Sequence, residues 1–310
     1  LRGTMGLHAK GSGVSDDTVR AEDGVEPIGD RWAKLRLSYW RRLFAAKPGR
    51  LLRKVAEFRR RELVLSGGRG LGGMGWMVTA KKTLTDYGLA EAWLLPQLSA
   101  SVGVDEWRDR AYRAVEGASD VERLGRMAGS SSGAKYLPIK DWGVNKEEYS
   151  FSSGEMGRLG RAVPERYLDD RTDLKGTRLK MLCRLGCLPL MDRVGREQRP
   201  PWPKRYRMCV CCDMGVVEDV MHLMMECPMH ADRRAKLIGR VHSTVASALP
   251  QRQGAGNINF AGSSAAGQGD ILLGLRIGDR RAEDKIDATV KRFLRKAWNA
   301  RSSVTATIND

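Results

Sequence analysis

Four residues near the middle of the chain constrain it most. Cys209, Cys212, His222 and Cys227 are spaced C-x2-C-x9-H-x4-C within CVCCDMGVVEDVMHLMMECP. Thiolates and a neutral imidazole are the donors Zn²⁺ selects, and three sulfurs with one nitrogen close a tetrahedral structural site. The Cys pair supplies half of the set from a tight turn, and the His-x4-Cys pair spans about one helical turn. A closed set of four leaves no position for a substrate, so the spacing predicts one structural Zn²⁺ and no chemistry at it. Other readings stand beside this one. Six Cys and four His in 310 residues can produce such a spacing by chance, and Cys211 can replace a neighbouring ligand. His230, three residues past Cys227, is a weaker ligand candidate than His222. Cys183 and Cys187 lie in the apolar run RLKMLCRLGCLPL and read as core. His8 and His242 read as surface or groove residues.

The charge balance points to a partner. The 54 Lys and Arg exceed the 37 Asp and Glu, a net +17, which favours a polyanion, in practice RNA or DNA. Association with a ribosome or with chromatin would have the same composition, so other ribonucleoprotein components are expected partners too. A membrane is not expected. No stretch approaches the ~18–20 apolar residues that span a bilayer, and no charged-then-apolar leader opens the chain. The first residue is Leu1, which reads as a fragment or a piece of a longer product. Clustered cysteines suit a reducing compartment, with the nucleus or an organelle matrix the expected location.

The fold class expected is mainly α: helical segments, a small CCHC zinc-binding knuckle and flexible linkers. Residues 1–29 are polar and Gly-rich and read as disordered. Residues 30–128 form a basic, aromatic helical region. Between Arg31 and Arg61 there are twelve basic residues and one acidic residue, Glu57. Leu35, Tyr39, Arg42 and Leu43 fit one helix. A break at Pro48-Gly49 follows, and Leu51, Leu52, Val55 and Phe58 fit a second. Trp32, Tyr39, Trp40, Phe44 and Phe58 read as core. Arg36, Arg41, Arg42, Arg50, Arg53, Lys54, Arg59, Arg60 and Arg61 are the candidate phosphate contacts, joined by Arg205, Arg207, Arg233 and Arg234 beside the knuckle. Gly70, Gly72 and Gly75 satisfy G-x-G-x-x-G, but no strand leads in, so 66–77 reads as a connector. Trp76, Trp93 and Trp107 read as helix-packing residues.

Residues 134–200 read as a helical linker region with a helix from about Leu174 to Leu188, and 201–250 as the knuckle region. There Leu237, Val241, Val245 and Leu249 mark an amphipathic helix. Residues 251–270 read as a low-complexity linker. A last amphipathic helix within 271–310 is expected to bury Ile286, Val290, Phe293, Leu294 and Trp298. Lys291, Arg292, Arg295 and Lys296 would then lie on its open face.

Tyr167-Leu168-Asp169-Asp170 imitates the Y-x-D-D of polymerase palms, where paired Asp hold Mg²⁺. Its flanks, RAVPER and RTDLKG, are charged and unlike strands, and Asp170 and Asp173 suit the start of a helix. No other nucleophile or general-base motif is visible, so this chain is not expected to be catalytic alone.

In order, the sequence shows KLRLSYWRRLFAAKPGRLLRKVAEF, a Trp-spaced helical middle, RLKMLCRLGCLPLMDRVGRE, and CVCC…VVEDVMHLMMECPMHADRR. It resembles the C-terminal, post-thumb segment of the reverse transcriptase of non-long-terminal-repeat retrotransposons. The resemblance covers roughly residues 30–250 and, more loosely, the final helix. It implies an RNA-directed DNA polymerase as parent protein, with the polymerase carboxylates upstream of residue 1, and a segment here that grips RNA template or DNA target. It implies zinc ligands at Cys209, Cys212, His222 and Cys227, an acidic pair, Glu218 and Asp219, before the His, and an Arg, Arg233 or Arg234, after the last Cys. The alternative is a domesticated structural RNA-binding protein of a ribonucleoprotein such as an organellar ribosome.

Overall fold

The computed structural model describes residues 14–66, 75–140, 165–170, 172–248, 260–274 and 277–309. Thirteen α-helices form among them, and the described residues hold no strand, only an isolated bridge between Met208 and Val217. Helix α1 (Asp16–Asp23) starts because the Ser15 hydroxyl accepts from the Thr18 amide at 3.1 Å, and it stops at Gly24 in the left-handed region. Helices α2 (Ile28–Ala45) and α3 (Leu51–Leu65) flank the expected break at Pro48-Gly49. Then come α4 (Trp76–Asp86), α5 (Ala90–Leu94), α6 (Pro96–Ser101) and α7 (Val104–Ala128). The second half holds α8 (Ser131–Tyr136), α9 (Leu174–Arg184), α10 (Met191–Glu197), α11 (Ala231–Ala248), α12 (Ala265–Leu273) and α13 (Arg280–Asn309). No described helix is long and apolar enough to cross a membrane. The glycine-rich residues 67–74, which carry Gly70 and Gly72, lie outside the described residues, as do 141–164 and 249–259.

The chain divides into two compact units that cut across the segments read from composition. The described residues of one run from Glu26 to Leu124. Its core is built on one face of α2, where Ala33, Leu37, Trp40 and Phe44 recur three or four residues apart and are buried. Trp40 packs on Phe44 at 4.6 Å and on Trp93 at 5.4 Å between ring centroids, and Trp107 donates its indole N–H to the Leu37 carbonyl at 3.0 Å. Lys34 is buried beneath the Tyr112 ring, with Glu26 and Glu116 as carboxylate partners. Burial would lower its pKa, but those two hydrogen-bonded carboxylates hold it above the ordinary lysine value.

Only part of the aromatic set is core here. Trp32, Tyr39 and Phe58 are exposed, and so are Leu35, Leu51, Leu52 and Val55. The apolar period of α3 is present as expected, but the helix buries Ala56 and Leu63 instead of that stripe.

The other unit combines α1 with the described residues from Gly125 onward. In it α13 packs against α9 and α11, and α12 packs on α9 and α13. Val290, Phe293, Leu294 and Ala297 of α13 are buried, with Leu237, Val241 and Val245 of α11 and Leu179 and Cys183 of α9. The α9–α13 contact is close at Gly176, where a Cβ would lie 2.7 Å from the Lys291 Cβ.

Three expectations give way in this unit. The part of 1–29 from Val14 onward is not disordered, because Glu22 of α1 is fully buried in an ion network. Its carboxylate receives Arg184 at 2.9 and 3.2 Å and the hydroxyls of Tyr136 and Tyr167. Burial raises the Glu22 pKa, and the Arg184 guanidinium with these hydrogen bonds more than offsets it, so the net shift is downward. Arg184 also pairs with Glu165 at 2.9 Å. Second, residues 260–270 are not linker, since Phe260 is buried and Ser264 caps α12 through the Gly267 amide. Third, Lys291 is not on an open face. Its ammonium is fully buried between Asp287 at 2.7 Å, Asp170 at 3.1 Å and the Tyr167 carbonyl at 3.0 Å. Trp298 is only half-buried.

Candidate metal centre

Two short pieces of chain bring the Cys and His side chains together. The first is a ribbon. The Cys209 amide donates to the Val216 carbonyl at 2.9 Å, the Glu218 amide donates to the Arg207 carbonyl at 2.9 Å, and Gly215 turns the chain with φ +61°. This presents Cys209 and Cys212 from one turn, with the Cys211 amide donating to the Cys209 sulfur at 3.4 Å. The second piece is a single π-type turn, His222–Glu226. Asp219 starts it by accepting the His222 amide at 2.8 Å, and the Cys227 amide closes it on the His222 carbonyl at 2.8 Å.

The four ligand atoms lie within 4.8 Å of one another. Cys209 Sγ is 4.0 Å from Cys227 Sγ, and Cys212 Sγ is 3.4 Å from His222 Nε2. A tetrahedron with metal–sulfur bonds of about 2.3 Å and a metal–nitrogen bond of about 2.0 Å has S···S edges of about 3.8 Å and S···N edges of about 3.5 Å. The observed separations match that geometry and are far from the roughly 2.05 Å of a disulfide. All six cysteines are free. The cluster can therefore hold a metal ion.

Its surroundings are those of a ligand set held in place. His222 is buried, and its other ring nitrogen, Nδ1, lies 3.4 Å from the Glu226 carboxylate, the arrangement that fixes the tautomer of a metal-bound imidazole. Arg234 donates to the Cys227 carbonyl at 3.0 Å. Glu218 is fully buried, accepts from Arg301 Nε and Nη2, each at 2.8 Å, and accepts the Met191 amide at 2.8 Å. Burial raises the thiol pKa values of Cys209 and Cys227, and pushes Cys211 up to about 11. A metal would displace those protons on binding.

Cys211 forms a second grouping with Cys209 and Glu218. Both Glu218 oxygens are already engaged by Arg301 and Met191, so this group is the poorer donor set. His230 is outside both groups. It is fully buried with neither ring nitrogen partnered, edge-on to Phe293, and burial pulls its pKa down to about 4. Cys183 is buried, as expected of core, and burial pushes the half-buried Cys187 up to about 12. His242 is exposed, and His8 lies outside the described residues.

The candidate phosphate contacts divide into two sets. Arg36 donates to Thr83, Arg41 to the Val102 carbonyl, Arg53 to Glu57 and the Ala46 carbonyl, and Arg60 to the Trp93 carbonyl. Arg207 joins Asp192 and the Trp202 carbonyl, and Arg234 joins the Cys227 carbonyl. These side chains hold local structure together. Arg42, Arg50, Lys54, Arg59, Arg61, Arg205 and Arg233 are exposed. Among them Arg59 pairs with Glu62, Arg205 stacks over Tyr206, and Arg233 reaches the Met229 carbonyl.

The YLDD tetrapeptide sits in a 3₁₀ turn, Arg166–Asp169. Tyr167 is buried against Glu22, the Asp170 carboxylate binds Thr172 and Lys291, and Asp173 caps α9 at the Gly176 amide. Local spacing foretold the Asp173 cap. Nothing local foretold Arg301, whose partner lies 83 positions earlier.

Comparison with family models, with curated proteins and with solved structures yields no match.

Proposed function

We propose that the Cys209/Cys212/His222/Cys227 cluster binds one structural Zn²⁺ as a CCHC knuckle, in a non-catalytic module that grips nucleic acid. The reading is that of the C-terminal segment of a retrotransposon-type reverse transcriptase. The observation that carries the metal half is the convergence of three sulfurs and one Nε2 within 4.8 Å, with the Cys209–Cys227 and Cys212–His222 separations near tetrahedral edge lengths and Glu226 behind His222. Zn²⁺ there would supply folding free energy and no reaction, since all four positions are filled by the chain. The nucleic-acid half is supported by the one-sided charge of α2–α3. Arg50, Lys54 and Arg61 are all exposed in that region, a form suited to phosphate contact through counterion release.

Both halves are open to measurement. The purified chain should carry about one zinc by elemental analysis, and Cys212→Ser should carry none; equal metal in the two would sink the metal assignment. Replacing Arg50, Lys54 and Arg61 with Gln should lower the log–log salt slope of single-stranded RNA binding by about 2, at roughly 0.7 for each phosphate no longer neutralised. An unchanged slope would place the RNA surface elsewhere.

A further inference from the structure

The geometry points to a second, apolar interface on the unit that holds α2 to α6: a groove between α2, α3 and α4 that docks an acidic amphipathic helix of a partner protein. The groove encloses about 680 Å³ and is lined by Tyr39, Leu52, Val55, Leu63, Trp76 and Met77. Helix α3 has 15 residues, of which Ala56 and Leu63 are buried. Its apolar stripe faces out, with Leu51 74%, Leu52 64% and Phe58 60% exposed. Helix α2 continues the surface, because Ile28, Trp32, Leu35 and Tyr39 recur four, three and four residues apart and are all exposed. A helix of this length is marginal in water without tertiary burial, and a contiguous apolar patch of this extent marks an interaction site.

The lining selects the class of partner. Bases stack on aromatic rings; the two rings of the lining, Tyr39 and Trp76, already pack edge to face on each other at 5.3 Å, and the rest of its apolar surface, Leu43, Leu52, Val55, Leu63, Met77 and Val78, carries none, so the groove suits an aliphatic helix face better than RNA. Charge selects the sign. Arg42, Lys54 and Arg61 stand exposed around the stripe and have no ion pair among the described residues, and Arg59 on the lining pairs with the partly exposed Glu62 beside it. A second copy would bring the same positive charge and be repelled. An acidic helix would place carboxylates against these residues while its apolar ridge fills the groove. This interface goes beyond the metal and nucleic-acid reading and does not depend on it.

The test uses the whole chain and three fluorescent synthetic peptides of about 18 residues, long enough to form a helix on binding. One has a Leu ridge and a Glu polar face, one has the same composition scrambled, and one has the ridge with a Lys face. In anisotropy titrations the ordered Glu peptide should bind at least about tenfold tighter than either control. Val55→Asp and Leu52→Asp, both at exposed positions, should each abolish that advantage with unchanged circular dichroism. Equal binding of ordered and scrambled peptides would reduce the effect to bulk charge and overturn the proposal, as would no binding below about 1 mM. Phosphatidylserine vesicles and single-stranded RNA are titrated in parallel. If Val55→Asp weakens either of them and not the Glu peptide, the groove belongs to that ligand instead. Lys54 and Arg61 serve both surfaces, so Arg50→Gln separates them: RNA binding weakened there with the Glu peptide still bound bears on the nucleic-acid reading alone.

Discussion

Glu226 shows how much one carboxylate behind a ligand can matter. It does not reach the thiol cluster; it meets the far nitrogen of His222 at 3.4 Å. Holding that nitrogen protonated leaves Nε2 free to coordinate, so Glu226→Gln should weaken metal affinity about 10–100-fold while the protein stays folded at saturating metal. Competition with a colorimetric chelator measures this, and an unchanged affinity would show that the carboxylate is incidental. A different carboxylate carries a pH dependence. Burial raises the Asp120 pKa to about 6; Arg123 opposes this, and Glu116 and Asp30 add to it. The folded state therefore takes up the proton before the unfolded state does, and the cost of ionised Asp120 appears as pH rises from about 4 to about 6. Relative to the parent chain, Asp120→Asn should gain about 1–2 kcal/mol across that window after allowance for screening, and the difference should be flat above it. Urea titrations at pH 4, 5, 6 and 7 would read the difference. A gap that does not change with pH would mean Asp120 is ionised throughout.

Among the elements, some were legible and some were not, and the reasons differ. The α11 stripe, Leu237, Val241 and Val245, was legible because period alone decides which face a helix buries. The stripe on α3 was equally clear, yet Leu51, Leu52, Val55 and Phe58 are exposed. Period identifies an apolar face and says nothing about whether this chain covers it. Lys291 failed for the opposite reason. A basic residue between apolar neighbours reads as solvent-facing unless its partners are known, and one of those, Asp170, lies 121 positions away. The α9–α13 pair adds a steric prediction. A methyl at Gly176 would meet the Lys291 Cβ at 2.7 Å, and backbone-anchored atoms cannot swing aside. Gly176→Ala should destabilise this unit by about 1–3 kcal/mol, although alanine favours helices. A variant with unchanged or higher thermal stability would show that the helices separate at no cost.

Across the whole molecule, the Cys/His set was legible because its residues fall within 19 positions of sequence, Cys209 to Cys227. The assembly around it was not. Glu218 depends on Arg301, and Glu22 depends on Arg184, Tyr136 and Tyr167. Such pairs leave no periodic trace, and a buried glutamate in an N-terminal stretch of polar residues looks like coil. The two units should also respond differently to metal removal. Chelation should raise amide hydrogen exchange around residues 207–230 and in α13 near Arg301, leaving α2 through α6 protected, because the ligands and Arg301 all belong to one unit. Uniform loss of protection would show that the units unfold as one.

The distant partners of Glu22 and Glu218 also impose an order of events while the chain is being made. Residues 26–124, the described part of one unit, emerge ahead of most of the other and can begin to fold then. Glu22 is synthesised before them; its tyrosine partners follow 114 and 145 residues later and its guanidinium partner 162 residues later, so the carboxylate lacks its countercharge through the whole of that interval. The thiols of Cys209, Cys212 and Cys227 then precede Arg301, the residue that neutralises the carboxylate beside Cys209. Newly made protein therefore passes through a stage in which the sulfurs are present and the guanidinium beside them is not. A metal taken up by the cluster at that stage would shield the thiolates from oxidants, so chains synthesised under a chelator should crosslink more than chains synthesised with added zinc.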